Sequence, residues 1–325
     1  RGVDQILPAP CDPRLFESYM TSAKEYVRLA ERRNGPIPAP MSPGYIWGAL
    51  PDDLDARACD LRIVNLETAI TDDGRPARKA INYRMSRANA ATLAAAQLDA
   101  CTLGNNHVLD WGDAGLRDTL DTLDALGIAH AGAGRTAKTA FAPCALAPQG
   151  GGRLWLLAFG DATAGVPRSW AAGLDTPGIA KLHNDPDLAV RQIRDCLPDA
   201  RDPHDLVVVS LHWGGNWGFD IPDRQRHIAR ALVDNAAADL VFGHSAHHPK
   251  GLEVRGGKLI LYGCGDLIND YEGIGGQEAY RPDLGVADIC DLDGQTGRLI
   301  GLELVPYRRH RFALTRAGSG DGDWL

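Results

Sequence analysis

The chain has 325 residues, 44% of them hydrophobic and 23% charged, with a formal net charge of −8. That is enough ordinary composition to bury a large core, and it fits one α/β domain as well as two smaller ones, so a single domain over residues 1–325 is expected. The acidic balance without a long basic run excludes polyanion binding through general electrostatics, and nucleic acid is not an expected partner.

The seven cysteines are scattered and show no C-x-x-C spacing, which excludes a disulfide framework and a thiolate zinc site. No apolar segment reaches the roughly 20 residues that a membrane helix needs, and no signal-peptide pattern is present. The chain as it stands is expected to be cytoplasmic, a reading that depends on what precedes Arg1.

In chain order, the Pro-rich "NGPIPAPMSPG" (34–44) reads as loop. Strand-like runs follow at "DLRIVNLE" (60–67), "DACTLGNN" (99–106), "RLWLLAFGD" (153–161), "DLVVVSLHW" (205–213), "ADLVFGH" (238–244) and "KLILYGCGD" (258–266). Between them, "GDAGLRDTLDTLDALG" (112–127) puts Leu116, Leu120 and Leu123 on one helical face, and "PDRQRHIARALVDNAAA" (222–238) does so with Ile228, Leu232 and Asn235. Strands alternating with helices predict largely parallel central strands covered on both faces. Later, "GLEVRGGKLILYG" and "GVADICDLDGQTGRLIGLELVPY" carry Gly-Gly and Asp-Gly-Gln-Thr-Gly turns, which predict hairpins and a mixed sheet. The Gly-rich "YEGIGGQEAYRPD" (271–283) is a long loop that either covers a substrate or is a plain surface excursion.

Apolar run after apolar run ends in groups that bind metals or move protons: Asn65 and Glu67, Asn105, Asn106 and His107, His212, His244, and Asp266. In open α/β sheets, ligands bind outside the carboxyl ends of the strands, so these ends are expected to share one crevice. A set of Asn, Asp, Glu and His without Cys suits a divalent ion that prefers oxygen and nitrogen, such as Mn, Mg, Ca, Fe or Zn. His107 and Asp110 stand three apart in "NNHVLDWG", the spacing of an imidazole oriented by a carboxylate; the other reading is that Asp110 caps the following helix. In "FGHSAHHPKG" (242–251), His244 is the leading inner group, His247 the next, and His248 is expected to face solvent and tolerate substitution.

Asn65, Lys79, Arg84 and Arg281 are candidates to hold a substrate carboxylate or phosphate, or are solvated polar surface. Trp111, Trp213 and Trp217 either line a pocket for an apolar group or pack in the core. "GAGR" (132–135) lacks the spacing of a dinucleotide fingerprint, and neither a phosphate-binding P-loop nor a nucleophile elbow is present.

The set "NLETAIT", "NNHVLDWG", "AGAG", "SLHWGGNWG", "VFGHSAHHPKGLE" and "LILYGCGDLINDYEG", in this order from about residue 60 to 290, resembles the CapA family of capsule synthesis, named for poly-γ-glutamate production. The resemblance implies a calcineurin-like α/β/β/α sandwich of the metallo-dependent phosphatase kind. It implies metal positions at Glu67 and Asn106, an acid/base role for His107, and completion of the cluster by His212, His244 and His247. Family members usually carry an initial strand ending in Gly-Asp before a segment like "RGVDQILP", so that strand is expected upstream of Arg1. "HWGGN" also places Asn216 where many relatives have Glu. The expected substrate is a peptide-like or phosphorylated anion, processed by hydrolysis or transfer. The alternatives are proton exchange at a peptide Cα, since relatives include a lasso-peptide epimerase, and a non-catalytic accessory role in polymer synthesis or export.

Overall fold

The computed structural model describes residues 1–199 and 201–325. Twelve strands organise the fold: β1 (Ile63–Asn65), β2 (Ala100–Thr102), β3 (Ala129–Ala131), β4 (Cys144–Leu146), β5 (Leu154–Gly160), β6 (Leu206–His212), β7 (Leu240–His244), β8 (Leu252–Arg255), β9 (Lys258–Leu261), β10 (Leu284–Leu292), β11 (Leu299–His310) and β12 (Ala313–Arg316). Three helices flank them: α1 (Gly112–Leu126), α2 (Pro186–Asp195) and α3 (Asp223–Asp234).

The first sheet is parallel, in the order β1-β2-β3. The second runs β8-β9-β7-β6-β5-β4, with parallel pairing from β9 through β5 and antiparallel edges at β8 and β4. A third, antiparallel sheet is the β10-β11-β12 meander. The mixed sheet expected from the two Gly-rich turns is therefore present. At the β8–β9 turn both Gly256 and Gly257 have positive φ, the backbone that a two-residue hairpin of the primed type requires.

Strand alternation divides β6 between two layers. Val207, Val209 and Leu211 face outward and pack with Ile193 of α2 and Ile228 and Leu232 of α3. Val208 faces inward, into a core with Ala100, Ala131, Leu156, Leu240 and Leu259 that joins the first and second sheets. Leu116, Leu120 and Leu123 of α1 are fully buried in a further core with Cys101 and Leu103 at the first sheet, as their helical spacing requires. The layers are helix, sheet, sheet, helix: the expected α/β/β/α sandwich. Asn235, placed on the apolar face of α3 by periodicity, lies instead at its exposed C-terminal end. No helix among the described residues is long and apolar enough to cross a membrane.

The same alternation decides where the chemistry sits. Ser210 and His212 share the inward face of β6 with Val208, so the polar end of this strand points toward the loop that follows β2. Gly104 opens that loop, and a Cβ there would lie 2.9 Å from the backbone of Phe159 in β5. The close approach of the two sheets at their carboxyl ends requires this glycine.

Candidate functional site

Asn105 is the organiser of the first wall. Its Oδ1 accepts from the backbone N–H groups of His107 and Val108, each at 3.0 Å, while its Nδ2 donates to Asn65 Oδ1 at 3.0 Å and to the Leu66 carbonyl at 2.9 Å. Asn65 in turn donates to Glu67 Oε2 at 2.9 Å. Asn65 therefore orients the carboxylate of Glu67.

His107 Nδ1 lies 2.6 Å from Asp110 Oδ2, and the His107 ring stacks on Tyr83 with centroids 3.9 Å apart. Asp110 also accepts from the Tyr83 backbone N–H at 2.6 Å, and its Oδ1 is 2.8 Å from Lys79 Nζ, which also donates to the Asn106 carbonyl. The N-terminus of α1 at Trp111 has no side-chain cap, so Asp110 serves the imidazole and not the helix. With Nδ1 held, His107 Nε2 is left on the side of Glu67, 4.0 Å from Oε1.

The second wall comes from the second sheet. His212 Nε2 lies 3.7 Å from Glu67 Oε1 and 3.2 Å from Asn106 Oδ1. His247 follows β7, and its Nδ1 lies 2.9 Å from Asp266 Oδ2, which also accepts from Asn269 Nδ2 at 2.9 Å. The Trp217 and Tyr271 rings stand 5.5 and 5.3 Å from the ring of His247.

Charge and burial differ across the site. Burial lowers His107 to about 4 despite the pull of Asp110, and it holds His212 well below the usual imidazole range. Burial would also lower His247, but Asp266 and then Glu67 raise it to about 9. The Glu67 side chain is 22% exposed, and desolvation pushes its carboxyl up to about 7 against the nearby His247.

Among the described residues no three His, Cys, Asp or Glu side chains form a self-contained ligand cluster. The convergent donors are mixed instead: one carboxylate, one imidazole nitrogen and one amide oxygen, from Glu67, His212 and Asn106. Such a set fits a divalent ion that prefers oxygen and nitrogen, with further ligands from water or substrate. The expected ligand His244 is not among these donors, because its ring nitrogens bond to Ser210 and His212 inside the protein.

Of the remaining candidates, His248 departs from its expected solvent-facing position, and Trp213 takes the core alternative. His248 is fully buried, stacked on Trp217 and Tyr280, with Nδ1 bonded to the Pro249 carbonyl, so it does not face solvent. Trp213 is a core residue whose indole N–H donates to the Tyr262 carbonyl. Arg84 lies over Trp111 and donates to the Asp12 carbonyl, and Arg281 pairs with Asp283 and Asp321; neither contacts Glu67 or the imidazoles around it. Lys79 is at the site, but its ammonium is committed to Asp110 and the Asn106 carbonyl. Asn216 is exposed, and its carbonyl accepts from the His247 N–H at 3.0 Å.

The family described as bacterial capsule synthesis protein PGA_cap matches residues 2–271. The chain belongs to this family. A PGA_cap relative, a probable polyglutamine synthesis accessory protein of Mycobacterium tuberculosis, is 44% identical over 331 aligned positions that cover 100% of this chain and 86% of the relative. The PGA biosynthesis protein CapA of Bacillus subtilis is 31% identical over 216 positions, covering 66% of this chain and 54% of that one. The capsule biosynthesis protein CapA of Bacillus anthracis is 31% identical over 169 positions, 52% of this chain and 39% of that one. The resemblance carried by the strand-end motifs is thus a family relationship.

Within this PGA_cap site, Tyr83, Ser210 and Tyr271 had no signal in the sequence. Each is recognisable only once the loop or strand carrying it is placed beside a histidine. Asp266 did have one, as the polar end of the "LILYGCGD" run, but its pairing with His247 did not follow from spacing.

Proposed function

We propose that this protein is a metal-assisted enzyme of capsule or polyglutamate metabolism that acts by hydrolysis or transfer on a peptide-like or phosphorylated anion. The observation that carries the reading is the pair of imidazoles, His107 and His247, each held at Nδ1 by a carboxylate, the buried Asp110 and the half-buried Asp266, beside Glu67. A His–carboxylate pair leaves Nε2 to exchange a proton with substrate, and two such pairs provide an acceptor and a donor.

Glu67, Asn106 and His212 are the residues that would hold a divalent ion. Bound there, the ion supplies Lewis acidity toward a carbonyl or phosphoryl oxygen. His107 takes a proton at Nε2, and Asp110 stabilises the resulting charge; His247 gives a proton from Nε2, with Asp266 keeping the ring in place. Tyr83 fixes the plane of His107 by stacking. Lys79 balances the charge of Asp110.

The paired imidazoles also favour a second reaction, epimerisation at a Cα, in which one ring removes the proton and the other returns one. The mycobacterial relative is named as an accessory protein of polyglutamine synthesis, which supports a third role, as a non-catalytic accessory. One experiment separates them. The protein is incubated with Mn²⁺ and short γ-linked glutamyl peptides, α-linked peptides with a free carboxyl terminus, or phosphoesters, in D₂O. Cleavage or transfer, lost in His107→Ala, is the expected result; deuterium at Cα without cleavage identifies epimerisation. No turnover of any of these by wild-type protein favours the accessory role.

A further inference from the structure

Strand β11 alternates between faces: Val305, Tyr307 and Arg309 are buried, while Arg308 between the last two is exposed and pairs with Asp321. A guanidinium is costly to bury, and Arg309 is only 5% exposed. Its partners are backbone carbonyls. Nη1 donates to those of Asp266 and Leu267, the latter at 3.2 Å, and Nη2 donates to those of Pro282 and Leu284, the latter at 2.9 Å. The two sets of acceptors are the two ends of one excursion, residues 266–284, which leaves the second sheet after β9 and returns as β10. One planar fork therefore closes the neck of this loop, which a compact ammonium with its donors on a single atom could not span. The approach is close: a Cβ at Gly285 would lie 2.4 Å from the Asp266 carbonyl oxygen and 3.1 Å from Arg309 Nη1.

What the neck holds is the wall around His247. Asp266 Oδ2 lies 2.9 Å from His247 Nδ1 and accepts from Asn269 Nδ2 at 2.9 Å, and Asn269 Oδ1 accepts from the Tyr271 N–H at 3.0 Å. The Tyr271 ring stands edge-on to that of His247. We propose that Arg309 is a positioning residue for this wall: by clamping both ends of loop 266–284 it fixes the backbone of Asp266 and so sets the Asp266 carboxylate against His247 Nδ1. The consequence for turnover rests on the reading of His247 as the group that gives a proton; the clamp itself does not depend on the reaction. Arg309 touches neither imidazole and acts only through the Asp266 backbone. Its loss displaces the carboxylate without removing it, and a misplacement of about 1 Å costs on the order of 100-fold in rate.

The test is ¹H–¹⁵N NMR of the imidazoles in wild type, Arg309→Met, Arg309→Lys and Gly285→Ala, with turnover of a short γ-linked glutamyl peptide measured on the same proteins. An imidazole Nδ1–H donated to a carboxylate gives a far-downfield proton signal, and that of His247 is assigned by its loss in His247→Gln. In Arg309→Met and Gly285→Ala this signal is expected to move upfield or vanish, while the corresponding signal of His107, held by Asp110 on the other wall, stays in place. Arg309→Lys keeps the charge but reaches only one end of the loop, so the same change is expected in smaller degree. In the three variants kcat is expected to fall by up to about 100-fold with KM little changed. A His247 signal unchanged in both Arg309→Lys and Gly285→Ala overturns the proposal, even where the unfolding midpoint drops, because the clamp then only stabilises the fold. Equal shifts of the His107 and His247 signals overturn it as well, since they report general loosening. Arg309→Lys and Gly285→Ala decide the matter where Arg309→Met does not fold. Absence of turnover by wild type counts against the proposed function, while the two imidazole signals still decide this proposal.

Discussion

The His107–Asp110 and His247–Asp266 pairs make the same bond, at 2.6 and 2.9 Å, in opposite electrostatic surroundings. In the first pair burial dominates, and the charge of Asp110 is shared with Lys79 Nζ at 2.8 Å and the Tyr83 N–H, so His107 falls to about 4. In the second, burial is outweighed by Asp266, whose side-chain partners are His247 and the neutral Asn269, and by the further negative charge of Glu67. His247 rises to about 9. A His–carboxylate bond therefore does not by itself set proton affinity; the neighbouring charges decide it. At neutral pH one wall offers an unprotonated imidazole and the other a protonated one.

The strongest way to break the comparison is to remove the acceptor. His107→Ala is expected to lower turnover about 1,000-fold, within the range for loss of a general base, while leaving the unfolding transition little changed; a loss under tenfold in a steady-state assay means that the first pair is not the acceptor. Asp266→Asn removes the charge that holds the His247 proton. A fall in kcat of about 100-fold is expected, with an NMR-measured decrease in the His247 pKa from about 9. An unchanged His247 titration contradicts the assigned cause.

A third, half-buried carboxylate sharpens the contrast because it has no imidazole or cation beside it. Asp288 in β10 is raised to about 6 by desolvation, with Cys264 as its hydrogen-bond donor. The folded state then retains a proton that the unfolded chain releases above its ordinary carboxylate range. Stability from this group is present below about pH 4 and is lost as pH rises through about 6. Asp288→Asn is expected to match wild type in urea unfolding at pH 4 and to be more stable by about 2 kcal/mol at pH 7. The same difference at both pH values contradicts this. The smallest effect is expected from Lys79→Met: kcat falls about tenfold and the His107 pKa rises from about 4, because the charge of Asp110 is no longer shared. A fall in that pKa reverses the assigned role of Lys79.

The alternation of strands and helices was legible because such patterns are local: Leu116, Leu120 and Leu123 share a helical face by spacing, and the apolar run at 205–213 reads as a strand, whereas the two-sheet sandwich was implied by the family resemblance. The crevice was legible for the same reason, since each polar strand end could be read one run at a time. What a side chain does within the crevice depends on cross-strand register and distant loops. His244 was legible as an inner group of the crevice, but its contacts with His212 and Ser210 emerge only from the strand register. His248 looked exposed until Trp217 and Tyr280, from two other loops, closed over it. Arg281 looked free until Asp321, forty residues on, took one of its nitrogens.

The proposed function requires Glu67, Asn106 and His212 to hold a divalent ion between the two pairs. Calorimetric titration of the purified protein with Mn²⁺ tests it most directly. One equivalent bound by wild type, with binding lost in Glu67→Gln and His212→Ala and kept in His107→Ala, is the result this account requires. Less than a few tenths of an equivalent in wild type, or binding that survives both Glu67→Gln and His212→Ala, would contradict it.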